Sequence, residues 1–458
     1  MNTAIWWIRR DLRLSDNPTL HTALTQGNVL PLFIFDPVLF QAASARRLSF
    51  IVNGLRILDK NLQKRGGRLI LRTGPPEQVL HVLFKKSHAK TIYAEEDFTP
   101  YARRRDGKIA RLLPLELIQG QVIHHPLAVR KENGKPYTVF TPFSKTWKAL
   151  LPDNFDPLPA PERIPFPEIS LQSDPFPPAK ELLCFPPGEL EALQRLETFT
   201  ATPGSPAIFS YASGRNMLDQ QGTSQLSPFF HTGMLSIRQA VSAAKKSASG
   251  AAGQEQREGA DTWINELIWR EFYISILFHY PRVLRGNFRK KYDNLAWNNN
   301  PSDLEAWKQG KTGYPIVDAA MRQLRETGWM HNRARMITSS FLVKDLLIDW
   351  RHGEAWFMQQ LLDADLAANN GGWQWTAGTG TDAAPYFRIF NPILQSKKFD
   401  PQGNYIRRWV PELAHLQSKT IHEPWTAESQ KDYYPPPIVD HKQARERTLQ
   451  AFKTAGST

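Results

Sequence analysis

Short apolar runs rich in β-branched and aromatic residues alternate with amphipathic segments in the first third of the chain. Runs of this kind occupy residues 3–8, 29–36, 67–73 and 90–96, each bounded by turn-forming or polar residues. Short, continuously apolar runs are typical of strands buried on both faces. Because helical patterns lie between them, the alternation predicts a doubly wound parallel α/β sheet.

Helix signals between the apolar runs agree with this prediction. Asn17 precedes Pro18, the order expected of a helix N-cap followed by proline in the first turn. A second helical pattern begins near Arg47. No GxGxxG motif follows the first apolar run, so the common dinucleotide-binding fingerprint is absent.

The pattern changes twice further along the chain. Proline recurs between about residues 152 and 188, which is typical of an extended connection with little regular structure. From about residue 205 to about 450 the apolar spacing is helical, without strand alternation. We therefore predict an α/β domain at 1–130, an extended proline-rich linker at 131–204, and an all-α domain at 205–458.

Charge and cysteine content narrow the class of protein. The 458 residues carry a formal net charge of +13, which suggests an anionic partner such as nucleic acid. The single cysteine, Cys184, excludes both a disulfide framework and a cysteine metal cluster. No apolar run approaches the length of a membrane span. We expect a soluble, intracellular (cytoplasmic) monomer.

The stretch "NNGGWQWTAGTGTDAAPYFRIFNP", residues 369–392, holds two tryptophans one residue apart. Gly371 and Gly372 precede them and predict the end of a helix, because glycine readily adopts left-handed C-cap geometry. Trp373 and Trp375 could both fill a core corner. Alternatively, one indole faces inward and the other faces a site.

The segment 222–241 contains two candidate helix starts. Ser227, followed by Pro228, and Ser236 are both plausible N-caps. Hydroxyl groups and free backbone N–H groups at a helix start also favour a phosphate. Ordinary capping explains the same residues, and both possibilities stay open at this point.

Residues 261–273, "DTWINELIWREFY", form a predicted helix with an acidic residue between indoles. Glu266, Trp269 and Arg270 share one face by their three- and four-residue spacing. If Glu266 is buried, it needs a hydrogen-bonding partner and its pKa tends upward. The alternative is a common solvated ion pair between Glu266 and Arg270.

Further polar residues cluster in the segments 328–350 and 363–369. Helical spacing places Asn332, Arg335 and Met336 on one face, and Asp363 and Asp365 follow shortly before residue 369. Two carboxylates near arginines suit glycosidase-like acid–base chemistry, metal binding or the polar lining of a cofactor site. No His/Asp spacing supports a metal specifically.

Taken in order, six segments resemble signatures of the photolyase/cryptochrome family, and the similarity covers nearly the whole chain. They are 6–20, 222–236, 263–273, 311–324, 328–350 and 369–392. The subgroup that they resemble most is the class I cyclobutane pyrimidine dimer (CPD) photolyases. The resemblance implies an α/β antenna-type domain, a helical FAD-binding domain, and light-driven carbon–carbon lyase activity on pyrimidine dimers in UV-damaged DNA.

The resemblance also implies a set of FAD-binding residues. Arg335 would pair with Asp363 beside the isoalloxazine ring, with Asp365 nearby and Asn369 facing the flavin N5. Trp263 would line the pocket between flavin and DNA. The phosphates and ribityl chain would be held by Tyr211, Thr223, Ser224, Gln225, Leu226 and Ser227.

Residues for electron transfer and lesion binding follow by the same similarity. Trp373, Trp350 and Trp297 would form a relay from the flavin to the surface. Glu266 would hydrogen-bond the dimer, which would lie stacked between Trp269 and Trp375. The remaining lesion or DNA contacts would come from Arg270, Asn332, Arg333, Met336 and Gln395, and further phosphate contacts from Lys397, Lys398, Arg407 and Arg408.

Two alternatives within the family stay open. Six-four photolyases carry a histidine pair near the lesion, whereas this chain has His331-Asn332 with Met336 downstream. Cryptochromes without repair activity usually replace the N5-facing asparagine, which is Asn369 here. A second chromophore is undecided: residues 98–106 lack the Asn-Glu pair of folate-binding members, which leaves a deazaflavin-type antenna or none.

Overall fold

The protein divides into two compact units in the computed structural model, which describes residues 2–41, 43–152, 156–201, 206–426 and 434–457. The first unit comprises Met1–Tyr137, Thr141–Ala212 and Thr223–His279. The second comprises Thr138–Phe140, Ser213–Gly222 and Tyr280–Thr458. Each unit is therefore built from segments that are not contiguous in the sequence.

A five-stranded parallel sheet forms the centre of the first unit. Its strands are β1 (Asn2–Ile8), β2 (Gly27–Phe35), β3 (Ile70–Thr73), β4 (Thr91–Glu95) and β5 (Leu115–Ile118), in the order β3-β2-β1-β4-β5. Ile5 of β1 pairs with Leu30 on one side and Ile92 on the other. The predicted parallel sheet is confirmed, since β1 to β4 coincide with the four apolar runs.

The fifth strand was not predicted. Its sequence, LELI, places Glu116 and the half-exposed Leu115 at an edge where only β4 is a neighbour. An edge strand with an exposed face carries no continuous apolar run, so its pattern does not stand out from a loop.

Helices flank the sheet and continue through the rest of the first unit. Asn17 Oδ1 accepts a hydrogen bond from Leu20 N at 2.9 Å, which confirms the predicted N-cap of the first helix. In chain order the helices up to residue 279 are α1 (Pro18–Leu24), α2 (Pro37–Phe40), α3 (Ala45–Gln63), α4 (Pro76–Ser87), α5 (Pro100–Ala110), α6 (Phe140–Ala149), α7 (Glu189–Ala201), α8 (Tyr211–Gly214), α9 (Ser227–Thr232), α10 (Ile237–Ser249) and α11 (Gln254–His279).

In the described residues of the second unit, the regular secondary structure consists of helices. Its α-helices are α12 (Pro301–Gln309), α13 (Pro315–Thr327), α14 (Asn332–Ser340), α15 (Trp350–Gln360), α16 (Leu366–Ala377), α17 (Pro392–Phe399), α18 (Asn404–Trp409) and α19 (His441–Ser457). A π-helical turn, Phe341–Asp345, follows α14, and 3-10 turns occupy Pro281–Leu284, Lys290–Tyr292, Pro411–Leu413 and Pro424–Thr426. The core contains Trp307, Trp350 and Trp373, all at most 2% exposed.

The proline-rich connection contains more structure than predicted. Residues 156–188 form neither helix nor strand, but α6 and α7 lie within the range 131–204. The sequences of these two helices are not proline-rich, and buried Phe143 and Trp147 give α6 an apolar face. The boundaries 1–130, 131–204 and 205–458 stay a prediction as functional domains.

Two predicted helix boundaries are wrong. Helix α16 runs through Gly371 and Gly372 and ends at Gly378, whose φ of 81° gives the left-handed C-cap. Glycine permits that geometry but does not impose it. Ser227 is the first residue of α9 and Leu226 occupies the N-cap, without a side-chain hydrogen bond. Ser236, by contrast, is confirmed as the N-cap of α10 in a capping box with Gln239.

Two features, a membrane-spanning helix and a cluster of metal-ligating side chains, are not found among the residues that the structure describes. None of their helices is both long and apolar enough to cross a bilayer. Nowhere in the same residues do three or more His, Cys, Asp or Glu side chains come together as possible metal ligands.

Candidate functional site in two sets of residues

The face of α11 that carries the predicted lesion residues is neither fully buried nor fully solvated. Glu266, Trp269 and Arg270 are all half-buried. The Arg270 guanidinium donates to the Gln121 carbonyl oxygen at 2.9 Å, and the Trp269 ring lies 5.5 Å from that of Tyr273. The three side chains thus share one partly accessible face of α11.

Glu271, which the sequence analysis did not select, anchors the same helix. Its carboxylate accepts hydrogen bonds from Ile123 N at 2.6 Å, His124 N at 3.3 Å and the Trp147 indole N–H at 2.6 Å. Burial raises the pKa of Glu271 to about 7, although these three donors act in the opposite direction. A carboxylate that joins α11 to α6 and to the loop after β5 fixes the helix that presents Glu266.

Two predicted FAD-binding residues of the first unit pack around one phenylalanine. The ring of Phe199 lies 5.8 Å from that of Tyr211 and 5.0 Å from that of Trp263. Gly259 of α11 allows this approach, because a Cβ there would lie 2.4 Å from the carbonyl oxygens of Ile208 and Phe209. The chain turn before Tyr211 is therefore held against α11.

The predicted phosphate-binding segment is a half-buried turn. Thr223, Ser224 and Gln225 are partly exposed, Leu226 is buried, and Ser227 is exposed. Gln225 has a φ of 52°, in the left-handed region that side chains other than glycine seldom adopt. Such outliers occur often in ligand-binding turns, and this turn presents hydroxyl and amide groups that can donate hydrogen bonds.

In the second unit, His331 starts the helix that carries the other predicted lesion residues. Its Nδ1 accepts from Arg333 N at 3.1 Å as the N-cap of α14. Burial lowers its pKa to about 4, and the guanidiniums of Arg333 and Arg335 act in the same direction. The imidazole is therefore neutral, and α14 presents exposed Asn332 and half-buried Met336.

The predicted pair of Arg335 and Asp363 is present. Arg335 Nη2 lies 2.8 Å from Asp363 Oδ2, and Arg335 Nε donates to the Met330 carbonyl oxygen at 2.8 Å. The other oxygen, Asp363 Oδ1, is buried and has no hydrogen-bond partner among the described residues. An unpartnered buried carboxylate oxygen is costly, so the position fits a ligand that brings its own N–H or O–H donor.

Asp365 and Asn369 both belong to the start of α16. Asp365 is the N-cap, and its Oδ1 accepts from Ala367 N and Ala368 N at 3.0 Å each. Asn369 Nδ2 donates to the Glu354 carbonyl oxygen at 3.1 Å. Because a carbonyl can only accept, this bond fixes the amide orientation and leaves Asn369 Oδ1 as an acceptor for a ligand N–H.

A buried network beside Asn369 was missed by the sequence analysis. Asn370 Nδ2 donates to the Glu354 carboxylate at 2.8 Å, and Asn370 Oδ1 accepts from Gln374 at 3.1 Å. Burial raises the pKa of Glu354 to about 7. Glu354 gave no sequence signal because it lies outside the polar cluster, on α15, and only the packing of α15 against α16 brings it to Asn370.

Exposure differs along the predicted tryptophan relay. Trp350 is 0% and Trp373 2% exposed, whereas Trp297 is half-buried. Trp373 packs onto Gly353, where a Cβ would lie 2.1 Å from its ring. The Trp350 indole N–H donates to Asn287 Oδ1 at 2.9 Å. The two predicted inner members of the relay are thus buried, and the predicted outer member is partly accessible.

The two tryptophans of the WQW motif differ in burial. This agrees with the possibility that one indole faces inward and the other does not. Trp373 is buried, and its ring neighbours are Phe357 at 5.0 Å and Trp307 at 6.0 Å. Trp375 is half-buried on the other side of the helix. One indole therefore faces the core, and the other stays available to a ligand.

The predicted phosphate-binding cations already have protein partners. Arg333 Nη2 donates to Asn216 Oδ1 at 2.7 Å, and its guanidinium lies 4.4 Å from the Phe399 ring. Lys397 lies 3.2 Å from Glu423. On α17 the neighbouring Gln395 has a buried Oε1 without a partner among the described residues. The remaining cations pack on rings or carbonyls: Lys398 over Phe399, Arg408 over Trp409, and Arg407 on the Leu416 carbonyl oxygen.

The segment in place of the folate motif forms a buried ion network at the carboxyl ends of the strands. Arg105 and Arg9 each lie 4.7 Å from the Trp7 ring, and both bond Asp106. Tyr101 donates to Asp36 Oδ2 at 2.6 Å. Tyr101, Arg105 and Asp106 of this segment thus have partners within the protein, whereas Arg104 is exposed.

Comparison with known proteins yields matches along nearly the whole chain. The family described as "DNA photolyase" matches residues 4–162, and that described as "FAD binding domain of DNA photolyase" matches residues 263–454. A deoxyribodipyrimidine photo-lyase of Escherichia coli is 41% identical over 99% of both chains. Its counterpart in Synechococcus sp. is 41% identical over 95% of this chain and 93% of the relative.

Solved structures also match the chain over nearly its whole length. A bacterial class III photolyase from Agrobacterium tumefaciens superposes with a TM-score of 0.92 at 37% identity, covering 100% of this chain and 98% of the other. A cryptochrome from Synechocystis sp. superposes with a TM-score of 0.90 at 32% identity, covering 98% and 99%. The first unit's parallel sheet and the second unit's helices are thus the architecture of these proteins.

Proposed function

The chain belongs to the DNA photolyase family, and we infer that it splits cyclobutane pyrimidine dimers in UV-damaged DNA, as a light-driven lyase that uses FAD. Relatives named deoxyribodipyrimidine photo-lyase, 36–41% identical over nearly their full length, support this function. When bound, reduced FAD supplies the electron that light transfers to the dimer. The identity of any second chromophore is separate from this function.

One observation carries the FAD assignment. The buried, unpartnered Asp363 Oδ1, with Arg335 on the other oxygen, suits a ring edge that presents N–H groups. Asn369, with its amide fixed by the Glu354 carbonyl oxygen, offers Oδ1 to a flavin N5–H. Such an acceptor favours the flavin form that carries this proton, which is the reduced form needed for repair.

The phosphate end of FAD is assigned to the first unit. Tyr211 and the segment from Thr223 to Ser227 would hold the phosphates and ribityl chain by hydroxyl and amide donors. Trp263 would contribute an apolar wall. Support comes from the exposed polar groups of that turn and from the close packing of Tyr211 and Trp263 on Phe199.

Lesion recognition would use indoles with polar groups beside them. A dimer flipped out of the duplex would stack on Trp269 and Trp375, because damaged bases cost least to extrude and aromatic faces stabilise them. Glu266 would hydrogen-bond a thymine and support the charge that the dimer gains. Arg270, Asn332, Met336 and Gln395 would complete the contacts, and Arg333 would bind a phosphate.

Electrons would reach the oxidised flavin through Trp297, Trp350 and Trp373. The half-buried position of Trp297 suits exchange with an external reductant, and the buried positions of the other two keep their oxidised forms away from water. The relay refills the cofactor, whereas repair uses an electron that the reduced flavin already holds.

The decisive experiment is repair of a defined oligonucleotide. FAD-loaded, chemically reduced protein should restore a cyclobutane thymine dimer to two thymines under blue light and not in the dark. A matched oligonucleotide with a six-four photoproduct should remain unrepaired. Flavin photochemistry without repair of either lesion would instead support the light-sensing role of the cryptochrome relative, and repair of the six-four lesion alone would overturn the substrate assignment.

A further inference from the structure

Lys344 is a lysine enclosed entirely by protein. It lies in the π-helical turn Phe341–Asp345 and is 0% exposed. Its Nζ donates to the Ala377 carbonyl oxygen at 2.9 Å and lies 3.7 Å from the centre of the Phe452 ring. Among the described residues, no carboxylate lies within ion-pairing distance of this ammonium group. Lysines are rarely buried without such a partner, so this one needs an explanation.

On one side Lys344 contacts the end of the helix that carries the flavin-facing residues. Ala377 is the last residue of α16, on which Asn369 and Trp373 lie. A positive charge at a helix C-terminus is favourable, because the last carbonyl groups are unpaired and the helix dipole is negative there. The ammonium group therefore fixes the end of α16.

On the other side Lys344 faces the aromatic cluster around the outer tryptophan of the relay. The Phe452 ring lies 6.4 Å from that of Trp297, 5.5 Å from that of Tyr292, and parallel to that of Tyr386 at 5.9 Å. Phe452 thus contacts both the lysine ammonium group and Trp297. The buried cation contacts the helix that carries Trp373 directly, and it reaches Trp297 only through the Phe452 ring.

The last helix holds the π-helical turn in place. Thr448 Oγ1 donates to the Lys344 carbonyl oxygen at 2.5 Å, and Arg447 Nη2 donates to the Asp345 carbonyl oxygen at 2.5 Å. The Asp345 carboxylate lies 2.5 Å from His441 Nδ1. Tyr292 and Tyr386 lie beside Phe452, and α19 and the turn Lys290–Tyr292 also carry the charged residues Lys290, Lys291, Lys442, Arg445, Glu446 and Lys453.

We propose that Lys344 is a positioning residue of the tryptophan relay, whose positive charge opposes the positive charge that Trp297 acquires on losing an electron. This inference rests on the proposed function. With FAD bound, one electron would leave Trp297 and pass through Trp350 and Trp373 to the oxidised flavin, and an added thiol reductant would return one electron to Trp297. Removing the charge of Lys344 should favour the oxidised state of Trp297 and lengthen its lifetime.

The charge of Lys344 is titratable near neutral pH. Burial lowers the pKa of its amine to about 7, and burial raises the pKa of Asp345 to about 6. Above pH 6.5 Asp345 stays largely ionised while Lys344 loses its proton. The relay should therefore become more effective between pH 6.5 and 8.5.

The test is flash photolysis of FAD-loaded, oxidised protein across that range. In the wild type, the yield of long-lived oxidised tryptophan should rise with pH, with a midpoint near 7 and a total change of about tenfold, the size expected of one partly screened charge. Lys344→Met should show the high yield at every pH. Lys308→Met, at a lysine that lies over Trp356 outside the relay, should keep the wild-type profile.

Two further measurements distinguish an error in the predicted relay from an error in the proposed role of Lys344. Trp373→Phe should lose photoreduction at every pH; if it photoreduces like the wild type, the relay of the proposed function is wrong. If Trp373→Phe behaves as expected but Lys344→Met keeps the wild-type profile, only the role of Lys344 is refuted. NMR titration of lysine side chains in the flavin-bound wild type tests the pH dependence even if Lys344→Met does not fold: a Lys344 midpoint near 7 that coincides with the rise in oxidised-tryptophan yield would support it, and a midpoint near 10 would overturn it.

Discussion

Glu266 and Glu271 lie five residues apart on α11 and have different surroundings. The Glu271 carboxylate accepts three hydrogen bonds and is 3% exposed. Glu266 is half-buried on the face that it shares with Trp269. Two carboxylates on one helix thus differ in environment, because Glu271 is enclosed by protein donors whereas Glu266 is partly exposed.

Substitution at this open face should separate chemistry from binding. Glu266→Ala should lower the repair yield per flash at saturating dimer, because a hydrogen bond to a charged group contributes about 1.5–3 kcal/mol. Trp269→Ala should instead weaken dimer affinity by roughly one to two decades, since base stacking contributes about 1–3 kcal/mol per base. The measurements are flash-driven repair and dimer binding, each with normal FAD content.

A carboxylate elsewhere on the same helix serves as the control. Glu258 is exposed on α11, and Glu258→Ala should leave the repair yield at the wild-type level. If Glu266→Ala also repairs at that level, Glu266 contributes only a surface ion pair, worth less than about 1 kcal/mol.

At the scale of elements, Glu271 connects α11 to α6 and to the loop after β5. Its pKa is about 7 in the folded protein, above the usual value for glutamate. Between about pH 4.5 and 7 the unfolded chain loses this proton while the folded chain keeps it. The free energy of unfolding should therefore fall with rising pH in this window, by up to about 1.4 kcal/mol per pH unit for one proton.

Glu271→Gln should reduce the slope of the unfolding free energy against pH by the contribution of one titrating carboxyl group. Glu95 and Glu354, whose pKa values burial also raises to about 7, and Asp345 and Asp400, whose pKa values it raises to about 6, still contribute to the slope in the variant. Denaturant unfolding at a series of pH values measures it, with Glu258→Gln as the exposed control. A variant slope equal to that of the wild type would show that Glu271 does not change its protonation in this range.

Helices and strands could be predicted from the sequence where residues close together in the chain determine them. The buried strands β1 to β4 and the Asn17 cap follow from residues close in the sequence. Strand β5 and the course of α16 through Gly371 and Gly372 do not, because an edge position and tertiary packing decide them. At Gly372 a Cβ would have open space around it, with nothing within 4 Å. No close contact therefore requires glycine at this position.

Candidate site residues could be selected from the sequence only where a motif carries them. Trp373, Arg335 and Asp363 lie in recognisable segments, and the structure brings the last two together. Glu354 lies outside the polar clusters, and Lys344 lies in the segment 328–350 without a spacing that singles it out; only the packing of α15, α16 and α19 gives them their partners. Their exclusion from the predicted site reflects contacts between residues distant in sequence, which spacing along the chain cannot show.

At the scale of the whole molecule, the net charge of +13 should govern DNA binding. Each phosphate neutralised releases counterions, so the logarithm of the binding constant should fall linearly with the logarithm of salt concentration, by about 0.9 per phosphate contact. Lys398→Ala should reduce this slope by about 1 and weaken binding to damaged and undamaged DNA alike. Titrations at several salt concentrations measure both effects.

The control is a lysine outside the predicted contacts. Lys442 is exposed at the start of α19, and Lys442→Ala should leave the salt slope as it is. A wild-type affinity that does not change with salt would mean that the basic charge serves something other than DNA.

The discontinuous composition of the first unit also has a consequence for synthesis on the ribosome. All five strands have been made once residue 118 is added, but the unit includes α11, which ends at His279. At about 5–20 residues per second, the remaining roughly 160 residues take about 8 to 30 s. During that interval the Trp147 indole and the amides of Ile123 and His124 have no Glu271 to receive their hydrogen bonds. A nascent chain stalled before α11 should therefore be a target for chaperones and proteases.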